Sequence, residues 1–158
     1  MVGADEITRA DIRRHLEVLS LDAPLHYDED VAREQGYRTI VAPAGMLSGS
    51  TLPAYWNPGD PPAGDQRMMV PMPMEQIPTP ATHWLATEVD TEFLEPVYPG
   101  DRISRTMKLV SVTPKRTRVG EGAFMVVEST YRKQTGEVVA VERLTTFRHT
   151  PASAEGGN

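Results

Sequence analysis

No cysteine occurs among the 158 residues, which excludes disulfides, thiolate nucleophiles and cysteine-based metal sites together. No apolar run approaches the ~20 residues that a bilayer span requires, and the N-terminus lacks a basic-then-apolar leader pattern, so a soluble cytoplasmic protein is expected, with no membrane partner. Basic charge is also in deficit: the formal net charge is -6, which argues against general nucleic-acid binding. The four histidines, His15, His26, His83 and His149, are scattered rather than set at metal-ligand spacing. No metal site is expected. No internal repeat and no Gly-rich nucleotide loop is present, and no cofactor is implied.

What is there is an ordinary globular composition, 39% apolar and 24% charged, of a length suited to one domain over residues 1–150. Thr8 and Asp11 stand at N-cap and N3 of a helix, flanked by Ile7 and Ile12 in staple positions. Ile12, His15, Leu16 and Leu19 share one helical stripe, with His15 at its edge as a packed or boundary residue. Pro24 disfavours helix in the residue before it, so the helix should stop near Asp22-Ala23 and leave Leu25-His26-Tyr27 extended or turn-like. Asp28 should cap a second short helix, and Gly36 should end it. From Gly45 the sequence GMLSGSTL can form about two helical turns before Pro53, with small residues suited to an enclosed position against a sheet.

Eight of the 14 prolines fall between 53 and 80, beside Met68, Met69, Met72 and Met74. A segment this long without regular structure is usually functional or disordered. With Tyr55 and Trp56 it is either a flexible apolar lining for a ligand or a surface excursion that packs on a partner chain. After Pro80 the texture is β: 83–94, 102–113, 116–132 and 137–149 read as antiparallel strands, separated by Tyr98-Pro-Gly-Asp101, a break near Pro114, and Gln134-Thr-Gly136. Residues 151–158 should form a disordered tail.

His26 on a Pro-constrained turn is a candidate general base. Gly45 at the start of a helix either exposes backbone N–H groups to an oxyanion or serves close helix–sheet packing. A base and an oxyanion site are the pair that proton abstraction beside a thioester carbonyl needs. From Arg102 to Arg118 run six basic side chains, Arg102, Arg105, Lys108, Lys115, Arg116 and Arg118; they are either a phosphate-binding patch or the solvated face of strands. Trp84 and Phe93, nine residues apart, fall nominally on opposite faces of a strand unless a bulge intervenes.

Four segments in order, Asp22-Ala-Pro-Leu-His26, Ala32-Arg-Glu-Gln-Gly-Tyr37, Ala42-Pro-Ala-Gly-Met-Leu47 and Phe93-Leu-Glu-Pro-Val-Tyr-Pro-Gly-Asp101, carry a resemblance over roughly residues 8–149. The chain resembles the MaoC-like (R)-specific enoyl-thioester hydratases and dehydratases, and more narrowly their N-terminal-type, FAS1-like dehydratase half. That resemblance implies an α+β hot-dog fold, a long antiparallel sheet wrapped around a central α-helix. It implies hydration or dehydration of a 2-enoyl or 3-hydroxyacyl thioester of CoA or an acyl carrier protein. A homodimer, or a heterodimer with a second hot-dog subunit, is implied as well. In the family's catalytic halves the motif runs Asp-x-Asn-Pro-x-His. Pro24 and His26 match its end, Leu21 and Ala23 replace the aspartate and asparagine, and the acid stands one residue later at Asp22. The implied catalytic set is His26, Asp22 and the Gly45 backbone amide. Met46, Tyr55, Trp56, Met69 and Trp84 would line the substrate pocket; Arg102, Arg105, Lys115 and Arg116 would meet CoA or phosphopantetheine. The Leu21 and Ala23 departures equally suit a non-catalytic substrate-binding subunit of a heteromer. A hot-dog thioesterase would need a carboxylate on the central helix, and residues 45–52 have none.

Overall fold

Thr8 opens the first helix with a reciprocal cap: its hydroxyl accepts from the Asp11 amide at 3.1 Å, and its own amide donates to the Asp11 carboxylate at 3.0 Å. In the computed structural model, which describes residues 1–61 and 72–151, helix α1 spans Arg9–Leu19. It ends earlier than Pro24 alone would require. Ser20 adopts the left-handed conformation (φ 49°), and the Leu21 amide reaches back to the Leu16 carbonyl at 3.0 Å, the bond that closes a helix one turn past its last regular residue. Pro24–His26 then forms a single 3-10 turn. Asp28 caps α2, Glu29–Glu34, by accepting from the Asp30 and Val31 amides at 2.9 and 3.2 Å. Gly36, at φ 89°, turns the chain out of α2 in a conformation that costs a Cβ-bearing residue energy.

The expected helix from Gly45 is instead two 3-10 turns, Ala44–Met46 and Gly49–Thr51. Glycine at 45 and 49 and serine at 48 and 50 contribute little intrinsic helix propensity, and 3-10 geometry suits such short runs. Leu47 and Thr51 are buried, whereas Ala44, Gly45, Ser48 and Gly49 are exposed. The small-residue face is therefore open rather than enclosed within this chain.

Four strands follow: β1 His83–Phe93, β2 Ile103–Thr117, β3 Gly120–Lys133 and β4 Val138–Pro151. They form one sheet of order β1-β4-β3-β2, so the architecture is α+β, an antiparallel sheet with short helices. Pro114 does not break the chain as expected but lies inside β2, which continues to Thr117 and turns at residues 118–119. Strand β2 is at the sheet's edge, where a residue without an N–H removes no bond from the ladder.

The contacts divide the chain into two compact units, each drawing on all four strands. The first comprises residues 1–70, 93–106 and 131–140. Its core joins Ile7, Ile12 and Leu16 to Ile40, Leu47, Val97, Ile103, Tyr131 and Val139. The second comprises residues 71–92, 107–130 and 141–158. Its core is Met74, Met125 and Val127, with Met72, Ile77, Met107, Leu109 and Leu144 against it. The later part of the Pro/Met-rich segment thus packs: Pro73–Gln76 is a 3-10 turn that buries Met74. Met68, Met69 and the tail at 152–158 lie outside the described residues.

Two stability outcomes follow from these elements. Thr8→Ala removes the reciprocal cap and should cost about 1 kcal/mol at neutral pH. The Thr8 hydroxyl, before any other group, holds the Asp11 carboxyl below its ordinary value of 3.8. That part of the stabilisation is complete above the unfolded-state value and is lost as pH falls through the lower folded one. The gap in urea midpoint between wild type and variant should therefore narrow in acid. In the second unit, a Cβ on Gly122 would lie 2.1 Å from the Arg148 carbonyl oxygen. Backbone must move to admit it, so Gly122→Ala should lower the thermal midpoint by several degrees, at about 1–3 kcal/mol of overpacking.

Candidate active site

Pro24 fixes the start of the turn that carries His26, and the His26 amide closes it on the Ala23 carbonyl at 3.0 Å. The ring is half-buried, with Nδ1 2.7 Å from the Val41 carbonyl oxygen. A carbonyl can only accept, so Nδ1 carries the proton and donates it. In the neutral ring Nε2 is then the nitrogen with a free lone pair. A cavity of about 310 Å³ adjoins the ring, walled by Pro43, Ala44, Met46, Leu47, Phe93, Leu94 and Val97 among others. Its walls are mostly apolar, and the titratable side chains along them are His26, Tyr37 and Glu95, neither of the last two singled out from sequence as a site residue.

Asp22 belongs to a different hollow. His26, Asp22, Leu21 and Tyr27 share a shallower cleft of about 460 Å³, and Asp22 is not part of the first cavity's wall. The Tyr27 hydroxyl donates to the Asp22 carboxylate. That bond, ahead of any other cause, pushes the Tyr27 phenol above its usual 10.0. The structure thus gives Asp22 a tyrosine as its hydrogen-bond partner.

Gly45 is the middle residue of the Ala44–Met46 turn, which Ala44 rather than Gly45 opens; the turn's own bonds run from the Met46 amide to the Pro43 carbonyl and from the Leu47 amide to the Ala44 carbonyl. Neither uses the Ala44 or Gly45 amide. Ala44 and Met46 face the His26 cavity, while Gly45 lines a separate hollow with His15, Arg14 and Ser50. A Cβ at Gly45 would lie 3.2 Å from His15 Nε2. His15, whose spacing suggests only a boundary residue, therefore stands beside the turn that follows Pro43.

The remaining expected positions divide. Met46 is at the cavity. Tyr55 and Trp56 are exposed and outside it, with the Trp56 indole donating to the Asp60 carbonyl at 3.1 Å. Met69 lies outside the described residues. Trp84 belongs to the second unit, in a hollow of about 260 Å³ with Met72, Met74, Leu144 and Arg148. Of the basic residues, Arg102, Lys115 and Arg116 are exposed, and Arg116 pairs with Glu121 at 3.4 Å. Arg105 departs from the expectation of a phosphate-facing arginine. It is only 7% exposed; one guanidinium nitrogen donates to Ser48 Oγ at 3.3 Å and, more weakly, to the Tyr131 hydroxyl at 3.5 Å, while its buried Nε finds no hydrogen-bond partner among the described residues. Alternation along β2 puts it on the inward face, which a count of basic residues does not see. Residues not singled out from sequence as apolar cavity walls are Leu94 and Val97, in the irregular stretch after β1, and Val139 on β4; long-range backbone bonds place them, from the Leu94 amide to the Val139 carbonyl and from the Ala42 amide to the Val97 carbonyl. Among the described residues no group of His, Asp and Glu is arranged to hold a metal ion, and no helix is long and apolar enough to cross a membrane.

Known proteins resemble this chain in sequence and in fold. Residues 2–142 match the family model for the FAS1-like, dehydratase domain region. A probable enoyl-CoA hydratase alpha subunit of Thermomonospora curvata is 36% identical over 157 residues, 97% of this chain and 48% of that protein. The chain thus spans about half the length of this curated relative. Among solved structures, the ChsH1-ChsH2 complex from Mycobacterium tuberculosis aligns with a TM-score of 0.75 at 22% identity, covering 98% of this chain and 84% of that one. The MaoC-like dehydratase from Rhodospirillum rubrum aligns at 0.62 and 19% identity, covering 96% and 91%. These two likenesses concern the fold. The family match extends over most of the sequence and includes the His26 turn, the Ala42–Leu47 segment and the Phe93–Asp101 segment, and the chain belongs to the FAS1-like dehydratase domain family.

Proposed function

We propose that this chain takes part in adding water to a 2-enoyl thioester, or removing it from the 3-hydroxyacyl thioester, with CoA or an acyl carrier protein as the thiol. The observation that carries the reading is His26: a histidine whose Nδ1 is committed to the Val41 carbonyl, set in the wall of an apolar cavity of about 310 Å³. That volume is at the lower end of the range for small-molecule sites. In the hydration direction Nε2 takes a proton from water as the water oxygen bonds to C3. The C2–C3 π electrons move to C2 and, by conjugation, onto the thioester oxygen. The enolate collapses as C2 accepts a proton, and the imidazole is left neutral. The Ala44 and Gly45 amides, which the turn's own bonds leave unused, are the proposed donors to that oxygen; such a donor is worth a few kcal/mol.

The finer form of the fold belongs to the same reading. The segment from Ala44 to Thr51 stands for the central helix of a hot dog, and the sheet for the layer wrapped around it. Its exposed small-residue face suits burial by a second hot-dog domain, of this chain or another. Met46 would touch the acyl group. Exposed Arg102, Lys115 and Arg116 remain candidates for the phosphates, and a cytoplasmic setting suits a CoA or carrier-protein thioester.

A second reading is favoured by one specific observation. Asp22 is bound by Tyr27 and absent from the His26 cavity, and Leu21 occupies the family's aspartate position. A chain half the length of a relative described as an alpha subunit would then hold the acyl group while another hot dog supplies the full dyad.

Assay of the purified chain with crotonyl-CoA and with longer or branched enoyl-CoAs separates the two. His26→Ala should lower kcat by roughly 10²–10⁴-fold, the usual contribution of a positioned base. Inactivity of the wild-type chain on every substrate, cured by a second hot-dog subunit with His26 dispensable, would assign it the binding role. Asp22→Asn should change kcat far less than His26→Ala. It should also bring the Tyr27 phenol back down toward 10.0, read by ultraviolet difference absorption.

A further inference from the structure

His26 does not stop at Val41. The carbonyl that accepts its Nδ1 proton belongs to the Val41–Ala42 peptide group, and the N–H of that group donates to the Val97 carbonyl at 2.7 Å. The Val97 carbonyl belongs in turn to the Val97–Tyr98 peptide group, whose N–H donates to Asp101 Oδ2 at 2.9 Å. Three hydrogen bonds and two rigid peptide planes thus run from the imidazole to one carboxylate, each donor pointing the same way. A peptide group is planar, so fixing its N–H fixes its C=O. Bonds in such a head-to-tail chain also polarise one another.

The far end is built to stay in place. Asp101 is 6% exposed. Its amide donates to the Tyr98 carbonyl at 3.0 Å, and its carbonyl accepts from Ile7 at 2.9 Å. Arg38 and Lys133 approach its two carboxylate oxygens at 3.8 and 4.0 Å, and the Arg38 guanidinium lies 4.2 Å above the Tyr98 ring. Lys133 is also paired with Glu137 at 2.8 Å. With two cations beside two carboxylates, the cluster is nearly neutral. Its leverage on His26 is therefore the orientation of the peptide chain rather than a bare charge acting at a distance. Among the described residues no other carboxylate is tied to the ring in this way: Asp22 is held by Tyr27, and Glu95 shares the cavity wall without a hydrogen bond to the ring.

We infer that Asp101 is a positioning residue for His26, holding the imidazole in the Nδ1–H tautomer through the Val97–Tyr98 and Val41–Ala42 peptide groups. This deepens the reading of His26 as the base and rests on it for any effect on rate. The tautomer itself can be measured whether or not the chain turns over a thioester.

The test uses the full chain, labelled with ¹⁵N. In wild type the His26 ring should show the Nδ1–H tautomer. The Ala42 and Tyr98 amide signals should shift with the same midpoint as the ring when it is titrated, and His26→Ala should abolish that response. Asp101→Ala removes the terminal acceptor; it should mix the tautomers and lower kcat by roughly tenfold, with KM little changed. Asp101→Asn, whose amide oxygen can still accept from Tyr98, should restore most of both. A residue that merely braces the turn would lower the thermal midpoint of Asp101→Ala and leave the tautomer alone. A folded Asp101→Ala chain with unchanged tautomer overturns the inference. Should that variant fail to fold, a Tyr98 amide indifferent to the ring titration in wild type overturns it equally. A wild-type chain inactive alone and restored by a second hot-dog subunit with His26 dispensable, the coupled titration being intact, would sink the assignment of His26 as base and leave the positioning chain standing.

Discussion

A single hydrogen bond, from His26 Nδ1 to the Val41 carbonyl, fixes which nitrogen of the candidate base is left free. A net contribution of about 1 kcal/mol is usual for such a bond, small beside a folding free energy. Its consequence for reactivity is larger, since it decides which ring nitrogen bears the proton and where the other points. The bond joins two stretches of chain 15 residues apart. Pro24 restricts the first by fixing its own φ, and Pro43 ends the second. The Val41 amide also bonds to the Leu25 carbonyl at 3.2 Å, so turn and segment hold each other from both sides. Removing the side chain of His26 would leave a half-buried carbonyl and a widened cavity, yet would disturb little of the core beneath.

Carboxylates near a histidine are not equivalent, and their surroundings explain why. Asp22 is exposed, and the charge of an exposed group is screened within a few ångströms by water and salt. It spends its hydrogen-bonding capacity on Tyr27, a partner five residues away that the short turn brings around to it. Asp101 is buried among two cations and a backbone amide. A buried carboxylate must be satisfied in this way, because leaving it unpaired would cost several kcal/mol. The residue nearer His26 in sequence is therefore the less constrained one, and the distant residue is connected to it by geometry that does not relax.

Local features were legible from residue order. The Thr8/Asp11 cap, Asp28 as the start of α2, Gly36 as its end and four β segments after Pro80 all depend on interactions within a few positions of one another. Pairing, by contrast, is a long-range property. Pro114 reads as a break until the sheet order reveals that its strand is at the edge. Arg105 reads as part of a basic patch until its strand register turns it inward toward Ser48 and Tyr131. The end of α1 at Leu19 has a different origin: Ser20, unlike glycine, gives no hint from its type that it will adopt a left-handed conformation. As for the site, His26 was visible because a Pro-constrained turn is a local pattern. Apart from Met46, the walls of its cavity were not, because Phe93, Leu94, Val97 and Val139 reach it only through long-range backbone bonds.

The Phe93–Asp101 segment shows how one short stretch can serve both purposes. Its first half supplies apolar walls, and its second half forms the turn closed by Asp101 on Tyr98. Gly100 takes φ 93° in that turn, and its amide bonds to the Ile7 carbonyl at 2.8 Å. Ile7 lines the same cavity from the far side and is packed in the core of the first unit. The lead-in before α1, the turn at Asp101 and the Val41–Ala42 peptide are thus fastened to one another by backbone bonds rather than by side-chain contacts alone. Backbone bonds tolerate substitution of the apolar residues they connect, whereas the position of the imidazole depends on bonds that few side chains could replace. Exchanging Met46, Phe93 or Leu94 would reshape the cavity while the imidazole stays where it is.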